Sequence, residues 1–168
     1  MWNVLLGGLS LLISIHPSHR CDATTATCPQ GWMAHLGECY GLFHEKRTWG
    51  EAERDCQAHG ARGHLASILD EEVTNKVASY IKSSLATDLG SVWIGLFYKG
   101  KNSPQGDWCW RDAYRMLYSN WINGLPEVSE NGDYCVHLEK EEYKYWKETA
   151  CYTNCAYLCK LELKYQRR

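Results

Sequence analysis

The sequence predicts one α+β domain with two helices, short antiparallel strands and a long loop, held together by disulfides. Residues 91–97 form a short apolar run rich in β-branched and aromatic side chains, which is typical of a buried central strand. Thr48 and Asp70 are N-cap residues, and each is followed by a stretch with apolar side chains at helical spacing, which predicts two helices. Nine cysteines in 168 residues are typical of an extracellular domain that relies on disulfides.

The N-terminal segment is predicted to be a secretory signal peptide. Residues 2–16 are mostly apolar and contain no Asp, Glu, Lys or Arg, and they are too few to span a bilayer. Cleavage after Ala23 leaves small residues at minus three and minus one, whereas cleavage after Ser18 leaves a histidine at minus three. We therefore assign residues 1–23 to the signal peptide and place its cleavage between residues 18 and 23.

The cleavage point determines whether the mature protein contains Cys21. Its removal leaves eight cysteines, enough for four disulfides, whereas a retained Cys21 would be a free thiol or would form an interchain disulfide. Both alternatives stay open. Residues 24–27 are then a flexible leader, residues 28–163 are the domain, and residues 164–168 are a short basic tail.

The first half of the domain is predicted to contain a hairpin and two helices. Cys28 and Cys39 lie in turn-rich segments that fit a hairpin closed by these two cysteines, and residues 41–44 continue as a strand. Thr48 and Glu51 form a capping box at the start of the first helix.

The second helix is predicted to lead into the central strand. It begins at Asp70, and its buried stripe consists of Val73, Val77, Tyr80 and Ile81. Within the central strand 91–97, Gly95 lets a neighbouring backbone or side chain approach closely. Residues 134–138 have a similar apolar character and are predicted to lie beside this strand.

The second half contains a tryptophan-rich strand, a long loop and a last strand. Trp108 and Trp110 are two residues apart, so they share one face of a strand while Cys109 points to the other. Residues 122–133 form a polar loop of a length that is usually functional or disordered. Residues 156–163 are predicted to be the last strand.

Composition and motifs argue against several functional classes. The formal net charge is −2 and charges of both signs are interspersed, so the sequence carries no nucleic-acid footprint and no polyanionic tail. Its histidines show no zinc-binding spacing. Because no catalytic constellation, phosphate-binding glycine loop or catalytic metal motif occurs, we expect a protein that is not an enzyme.

Several motifs follow one another in a family-specific order. They are residues 28–32 (Cys-Pro-Gln-Gly-Trp), Trp49 with Ala52, Glu53 and Cys56, residues 64–68 (His-Leu-Ala-Ser-Ile), the tetrad 93–96 (Trp-Ile-Gly-Leu), residues 118–121 (Tyr-Ser-Asn-Trp), Cys135 with Val136, Cys151 and Cys159. In these motifs the sequence resembles the long form of the C-type lectin-like domain. It looks most similar to small secreted members: the regenerating-islet (pancreatic-stone) proteins, the eggshell lectin-like proteins and the snake-venom C-type lectins.

The resemblance implies a disulfide pattern. Its three bridges are Cys28–Cys39, Cys56–Cys159 and Cys135–Cys151. Cys109 and Cys155 do not belong to the common pattern, and the simplest interpretation pairs them as a fourth bridge. The alternative is an interchain bond through Cys109, because venom lectins of this family often dimerise covalently. We therefore expect a monomer or a disulfide-linked dimer.

The resemblance also indicates a degenerate calcium site. In sugar-binding members, a Glu-Pro-Asn or Gln-Pro-Asp triplet and a later Trp-Asn-Asp motif hold a calcium ion, whose remaining coordination positions bind sugar hydroxyls. Here residues 125–127 read Leu-Pro-Glu and residues 146–148 read Trp-Lys-Glu. Leu125 contributes no oxygen, and Lys147 places a cation where an amide is expected. The family's proline, here Pro126, is often cis, and the sequence gives no cue for either isomer.

Three carboxylates remain in this region, at Glu127, Asp133 and Glu148. They could gather around a cation, or they could be satisfied by an ion pair with Lys147. Because two oxygen ligands are lost, we expect no cofactor and no family-type calcium binding. The candidate ligand-binding or degenerate calcium residues are Leu125, Glu127, Asp133, Lys147 and Glu148.

Two further groups have a structural interpretation that is favoured over a functional one. Four tryptophans could form a sugar-stacking platform, but large aromatic side chains dominate core burial, so we predict that they are core residues: Trp108, Trp110, Trp121 and Trp146. Acidic clusters at 70–72, 127–133 and 139–142 could face a mineral, but helix-start charges and solvated loop tips explain them better.

These observations predict a secreted, extracellular C-type lectin-like binding protein. Its ligand would be a protein or a glycan, bound without the usual calcium site through the loop 122–133 and the charged tip 139–146. One alternative is a calcium-dependent carbohydrate-binding lectin, including a venom-type lectin. A second alternative is a mineral- or ice-associated structural protein. Neither a nucleic-acid partner nor a membrane span is expected.

Overall fold

A computed structural model of the protein describes residues 27–84, 89–100, 108–126 and 132–163. The elements are β1 (Met33–His35), β2 (Glu38–Arg47), α1 (Trp49–Ala58), β3 (His64–Leu65), α2 (Glu71–Ser83), β4 (Val92–Tyr98), β5 (Trp108–Trp110), β6 (Tyr134–Leu138), β7 (Trp146–Ala150) and β8 (Cys155–Glu162). The predicted signal peptide, Cys21, most of the leader, Glu127 and the tail 164–168 lie outside the described residues.

The strand β4 is central to the sheet, as its apolar sequence predicts. The main strand order is β1-β2-β8-β4-β6-β7, with β3 paired to β8 and β5 paired to β4. The expected neighbour β6 pairs antiparallel with β4, with Val92 opposite Leu138. The other neighbour, β8, runs parallel to β4, with Val92 opposite Ala156. The fold is therefore α+β with a mixed sheet.

Gly95 allows the close backbone contact expected of it. Its N–H donates to the carbonyl of Ala66 at 2.9 Å, which ties the chain beyond β3 to the middle of β4. A Cβ atom built on Gly95 would collide with the carbonyl oxygen of Leu65. Because that obstacle is backbone, no side-chain rotation could relieve the collision.

Both helices begin at the predicted caps. Thr48 donates to the Glu51 carboxylate through its N–H at 3.0 Å and through its hydroxyl at 2.7 Å, and these bonds lower the pKa of Glu51. At the second helix, the Asp70 carboxylate accepts from the Val73 N–H at 2.8 Å. The predicted stripe of α2 faces the core: Val73, Val77 and Ile81 are buried, and Tyr80 packs against them.

The tryptophans are core residues, as predicted. Trp110, Trp121 and Trp146 are buried, and Trp108 packs against the same cluster. The Trp146 indole meets those of Trp110 and Trp121 edge-on, with ring centroids 5.4 and 5.6 Å apart. This geometry is favourable for aromatic pairs, and it leaves none of these three rings free as a flat sugar-binding platform.

The three disulfides implied by the resemblance are present. They are Cys28–Cys39, Cys56–Cys159 and Cys135–Cys151. The Cys56–Cys159 bridge joins α1 to β8 across 103 residues of sequence and is fully buried. It therefore links the first helix to the last strand.

The predicted fourth disulfide, Cys109–Cys155, is wrong: both cysteines are free thiols. Cys109 lies opposite Phe97, near the end of β4. Cys155 precedes Ala156, which lies opposite Val92 at the start of β4. Five residues of strand span roughly 16 Å, whereas bridged cysteines need Cα atoms within about 7 Å of each other. Burial raises the pKa of the Cys155 thiol to about 11.

Candidate functional site

The predicted ligand-binding residues lie around β6, β7 and the segment 122–126. Lys147 and Glu148 belong to β7, where they pair with His137 and Val136 of β6. Asp133 immediately precedes β6. The regular ladder between β6 and β7 therefore fixes the backbone positions of Lys147 and Glu148.

Lys147 forms an ion pair, but its partner was not predicted. Its ammonium lies 3.8 Å from the carboxylate of Glu139, and its side chain is about half exposed. The sequence indicated a pair with Glu127, Asp133 or Glu148. Glu139 takes this role because it follows directly after β6, on the strand that pairs with β7. An ammonium is thereby held at the position where the family pattern has a calcium-binding amide.

Asp133 and Glu148 differ in their surroundings. Asp133 is exposed, and its backbone carbonyl accepts from the Cys151 N–H at 3.2 Å. Glu148 is half-buried. Across the ranges that the structure describes, no group of three His, Cys, Asp or Glu side chains is arranged to hold a metal ion.

Leu125 presents an apolar surface at this end of the domain. Its side chain is 76% exposed, and Ile122, three residues earlier, is 44% exposed. The Leu125–Pro126 peptide is trans. The segment is anchored by the Ile122 N–H, which donates to the Trp146 carbonyl at 3.0 Å. The exposed Leu125 therefore lies three residues after a backbone hydrogen bond that holds Ile122 to the core residue Trp146.

His137 is a buried titratable residue of β6 that lies opposite Lys147 of β7. Only 7% of it is exposed, its Nδ1 lies 3.3 Å from the Leu138 carbonyl, and its ring meets Trp93 edge-on at 5.8 Å. Burial lowers its pKa, partly opposed by the Leu138 contact and by the carboxylate of Glu139, 3.9 Å away. The neutral imidazole is therefore the form that fits this part of the sheet.

A buried charge centre that sequence reasoning missed surrounds Lys160. Its ammonium lies 2.9 Å from Asp112 and 3.1 Å from Glu38, and it donates to the Ser67 hydroxyl at 2.6 Å. The Ser67 hydroxyl in turn donates to Asp112 at 2.7 Å. The ring of Tyr114 covers the ammonium at 4.2 Å. Four separate parts of the chain are thereby joined around one buried cation.

A second missed centre surrounds the buried carboxylate of Glu53. It accepts from the Leu65 N–H at 2.9 Å, from the Gln57 amide at 2.6 Å and from the Arg111 guanidinium at 3.2 Å. The ring of His64 lies 2.7 Å away. These contacts fasten β3 to α1 and to the segment after β5, so the centre positions the chain beside Gly95.

Only one of the two centres left a signal in the sequence. Glu53 stands three residues before Cys56, so helical spacing places it on the buried stripe of α1. Lys160 lies between Cys159 and Leu161, and no local pattern distinguishes it from an exposed strand lysine. Its burial depends on acidic partners that lie far away in the sequence.

A polar cleft lies between α2 and the end of the β6–β7 connection. Its volume is about 380 Å³. The lining residues come from the first two turns of α2, from the segment before Trp121 and from the residues just before β7. None of the five candidate residues of the degenerate calcium site lines it.

Comparison with known proteins places this geometry in a family. A match to the C-type lectin domain covers residues 45–161. The chain is 35% identical over 162 residues to a C-type lectin, mannose-binding isoform, of Oxyuranus scutellatus, which covers 95% of this chain and 98% of that protein. It is 38% identical over 134 residues to lithostathine-2 of Mus musculus, covering 79% and 74% of the two chains.

A solved structure shares the fold. Ovocleidin-17, a major protein of the Gallus gallus eggshell calcified layer, superimposes with a TM-score of 0.65 at 27% identity, covering 81% of this chain and 99% of that one. Venom, lithostathine and eggshell proteins are therefore all relatives, as the motif order predicts. Among the described helices, none is both long enough and apolar enough to cross a membrane.

Proposed function

The chain belongs to the C-type lectin domain family, and from that premise we propose that it is an extracellular binding protein that recognises a protein surface or a glycan without the family's calcium–sugar geometry. One observation carries this proposal: the ammonium of Lys147 is held 3.8 Å from Glu139 in the regular β7 ladder. A cation at this point repels calcium instead of coordinating it.

The other change in the family motif supports the same conclusion. Calcium takes six to eight oxygen ligands. Leu125 replaces one oxygen ligand with an exposed isobutyl group, and Lys147 replaces another with an ammonium. Three carboxylates remain in this region, at Glu127, Asp133 and Glu148, but they do not replace the two oxygen ligands that the family's site has lost.

The binding surface proposed here consists of the segment 122–126 and the charged tip 139–145. Leu125 is 76% and Tyr145 43% exposed, which gives the surface two large contact groups. The tip is anchored to α2 by the Lys82–Glu142 ion pair at 2.5 Å. Trp146, the last residue of the predicted tip 139–146, is fully buried, which agrees with its prediction as a core residue and excludes it from this surface.

An extracellular location agrees with the covalent structure. Three disulfides form within the described residues, and such bonds persist in oxidising compartments. The predicted signal peptide supports the same location. We propose that binding, with no enzymatic step and no cofactor, is the function of the chain.

A calcium-dependent lectin is the second candidate. The observation in its favour is the similarity to a venom protein named as mannose-binding, which extends over 95% of this chain. Such a lectin would need Asp133 and Glu148, together with Glu127 outside the described residues, to hold calcium despite Lys147.

A glycan-array scan of the purified mature protein, run in calcium and repeated in chelator, tests the proposal. We expect that glycans bound in calcium stay bound in chelator, or that no glycan binds and the ligand is a protein. Sugar binding that disappears in chelator would overturn the proposal and support the second candidate.

Two variants make this scan sharper. Glu148→Gln removes a carboxylate that a calcium site would need. Because the proposed binding uses no calcium, we expect this variant to bind its ligand as the unmodified protein does. Leu125→Asp alters the exposed apolar surface, and we expect it to weaken the binding of any ligand that contacts this surface. Tyr152→Asp, at another highly exposed position on the β7–β8 turn, is the matched control.

A further inference from the structure

The cleft beside α2 has the size and position of a separate ligand site. Its volume of about 380 Å³ is at the lower end of the range for small-molecule sites. One wall consists of Glu71, Thr74 and Asn75 of α2. The other wall includes Tyr118 and the hairpin residue Tyr145.

Several contacts between the lining residues hold the walls of the cleft together. The Thr74 hydroxyl and the Tyr118 phenol lie 3.1 Å apart and join α2 to the segment before Trp121. The Asn120 amide donates to the Lys144 carbonyl at 3.1 Å, which joins that segment to the hairpin. The Lys82–Glu142 ion pair joins α2 to the β6–β7 connection. Because these contacts hold the walls of the cleft to one another, binding would require little rearrangement.

The lining groups combine an aromatic ring with groups that donate and accept hydrogen bonds. Tyr145 is 43% exposed, so part of its ring can face a ligand. Asn75 is exposed and offers an amide with both donors and acceptors. Glu71 adds acceptors and Lys144 adds donors. Hydroxyl groups, which both donate and accept, match this mixture.

The charges of the cleft argue against an anionic ligand. The Asp70 carboxylate already accepts from the first turn of α2, and Glu71 and Glu72 follow it. A bound anion would meet these carboxylates near the helix start. The polar lining likewise gives an apolar ligand little surface to contact.

We propose that this cleft binds one neutral, hydroxyl-rich sugar residue, and that it does so without calcium. This proposal rests on the proposed function and extends it, because it assigns a glycan ligand to a cleft that Leu125, Lys147 and Glu148 do not line. The aromatic ring of Tyr145 contacts one face of the sugar, and Asn75 and Glu71 bond its hydroxyls.

The test is a titration of the mature, disulfide-bonded protein with methyl glycosides of glucose, galactose, mannose and N-acetylglucosamine, in chelator. Backbone amide NMR shifts report the location of binding. We expect one of these sugars to saturate the protein with a dissociation constant on the order of 1 mM and to shift Thr74, Asn75 and Tyr118. The absence of saturable binding by all four sugars overturns the site.

Exposed-residue variants keep the test independent of folding. We expect Tyr145→Ala to weaken binding about tenfold and Asn75→Ala about fivefold. Tyr152→Ala, a tyrosine that is 80% exposed elsewhere, is the matched control and should stay within about twofold of the unmodified protein. Equal affinities in all three variants would overturn the assignment to this cleft.

The two proposals fail in different ways. Sugar binding in chelator that ignores Tyr145→Ala contradicts the cleft but leaves calcium-independent recognition intact. Sugar binding that needs calcium and is lost in Glu148→Gln contradicts both proposals. Binding in chelator that is lost in Tyr145→Ala and kept in Glu148→Gln supports both.

Discussion

Lys160 is only 3% exposed, and its ammonium lies 2.9 Å from the carboxylate of Asp112. This pair joins the last strand to the segment that follows β5, and Glu38 adds a second carboxylate at 3.1 Å. Removing one partner of such a pair costs more than removing one partner of a surface pair, because the other charge is left buried and uncompensated.

Removing Lys160 should therefore be costly. Lys160→Met leaves Asp112 and Glu38 buried without their cation, and we expect a loss of about 3–5 kcal/mol in the free energy of unfolding. Denaturant unfolding measures this loss. Arg62→Met, which removes the exposed pair with Glu162, is the control and should cost less than about 1 kcal/mol. Similar losses in the two variants would contradict the role of Lys160.

Gly95 should not tolerate any side chain. In Gly95→Ala, the new Cβ meets the Leu65 carbonyl and separates β4 from Ala66, so we expect a loss of about 3 kcal/mol. Thermal or denaturant unfolding detects it. Gly50→Ala, in the first turn of α1 with only the flexible Arg54 nearby, should instead stabilise by about 0.5 kcal/mol. An unchanged Gly95→Ala variant would show that the close approach is absent.

The two free thiols should react at different rates. Burial raises the pKa of Cys155 to about 11, so this thiol stays protonated near pH 8, whereas Cys109 is half-exposed. We expect iodoacetamide at pH 8 to label Cys109 at least about ten times faster than Cys155, as followed by peptide mass spectrometry. If the mature protein contained no free thiols and ran as a monomer, a Cys109–Cys155 disulfide would be supported. A covalent dimer that separates on reduction would identify Cys109 or Cys21 as the interchain cysteine.

Acidification should weaken the fold through His137. Its pKa is lowered in the folded state, so the unfolded chain binds the proton more tightly, and stability falls as the pH drops below about 6.5 toward the folded pKa. In His137→Gln, we expect a smaller loss of unfolding free energy between pH 7.5 and pH 5.5 than in the unmodified protein. Equal losses would show that other groups control this range. Glu51 and Glu142, whose pKa values are lowered, act only at more acidic pH.

Local signals predicted most of the fold. The caps at Thr48 and Asp70 were predictable because each forms its hydrogen bonds with a residue only three positions ahead. The burial of β4 was predictable because its sequence is continuously apolar. The disulfides followed from the family resemblance. The parallel pairing of β4 with β8 was not predicted, because nothing within either strand specifies the direction of its neighbour.

The candidate site was predictable only in part. The prediction that Leu125 and Lys147 replace calcium ligands follows from comparing their residue types with the motifs of the family that the sequence resembles. The Glu139 partner of Lys147 and the cleft beside Tyr145 depend on how distant segments pack together. The pairing of Cys109 with Cys155 failed for the same reason, since it rested on cysteine number and not on strand register.

Direct titration of the mature protein with calcium, followed by isothermal calorimetry, tests the central claim that Lys147 and Leu125 have removed the family's calcium site. We predict only heats of dilution, with no saturable site of dissociation constant at or below about 1 mM. Saturable calcium binding that is lost in Glu148→Gln would contradict the account.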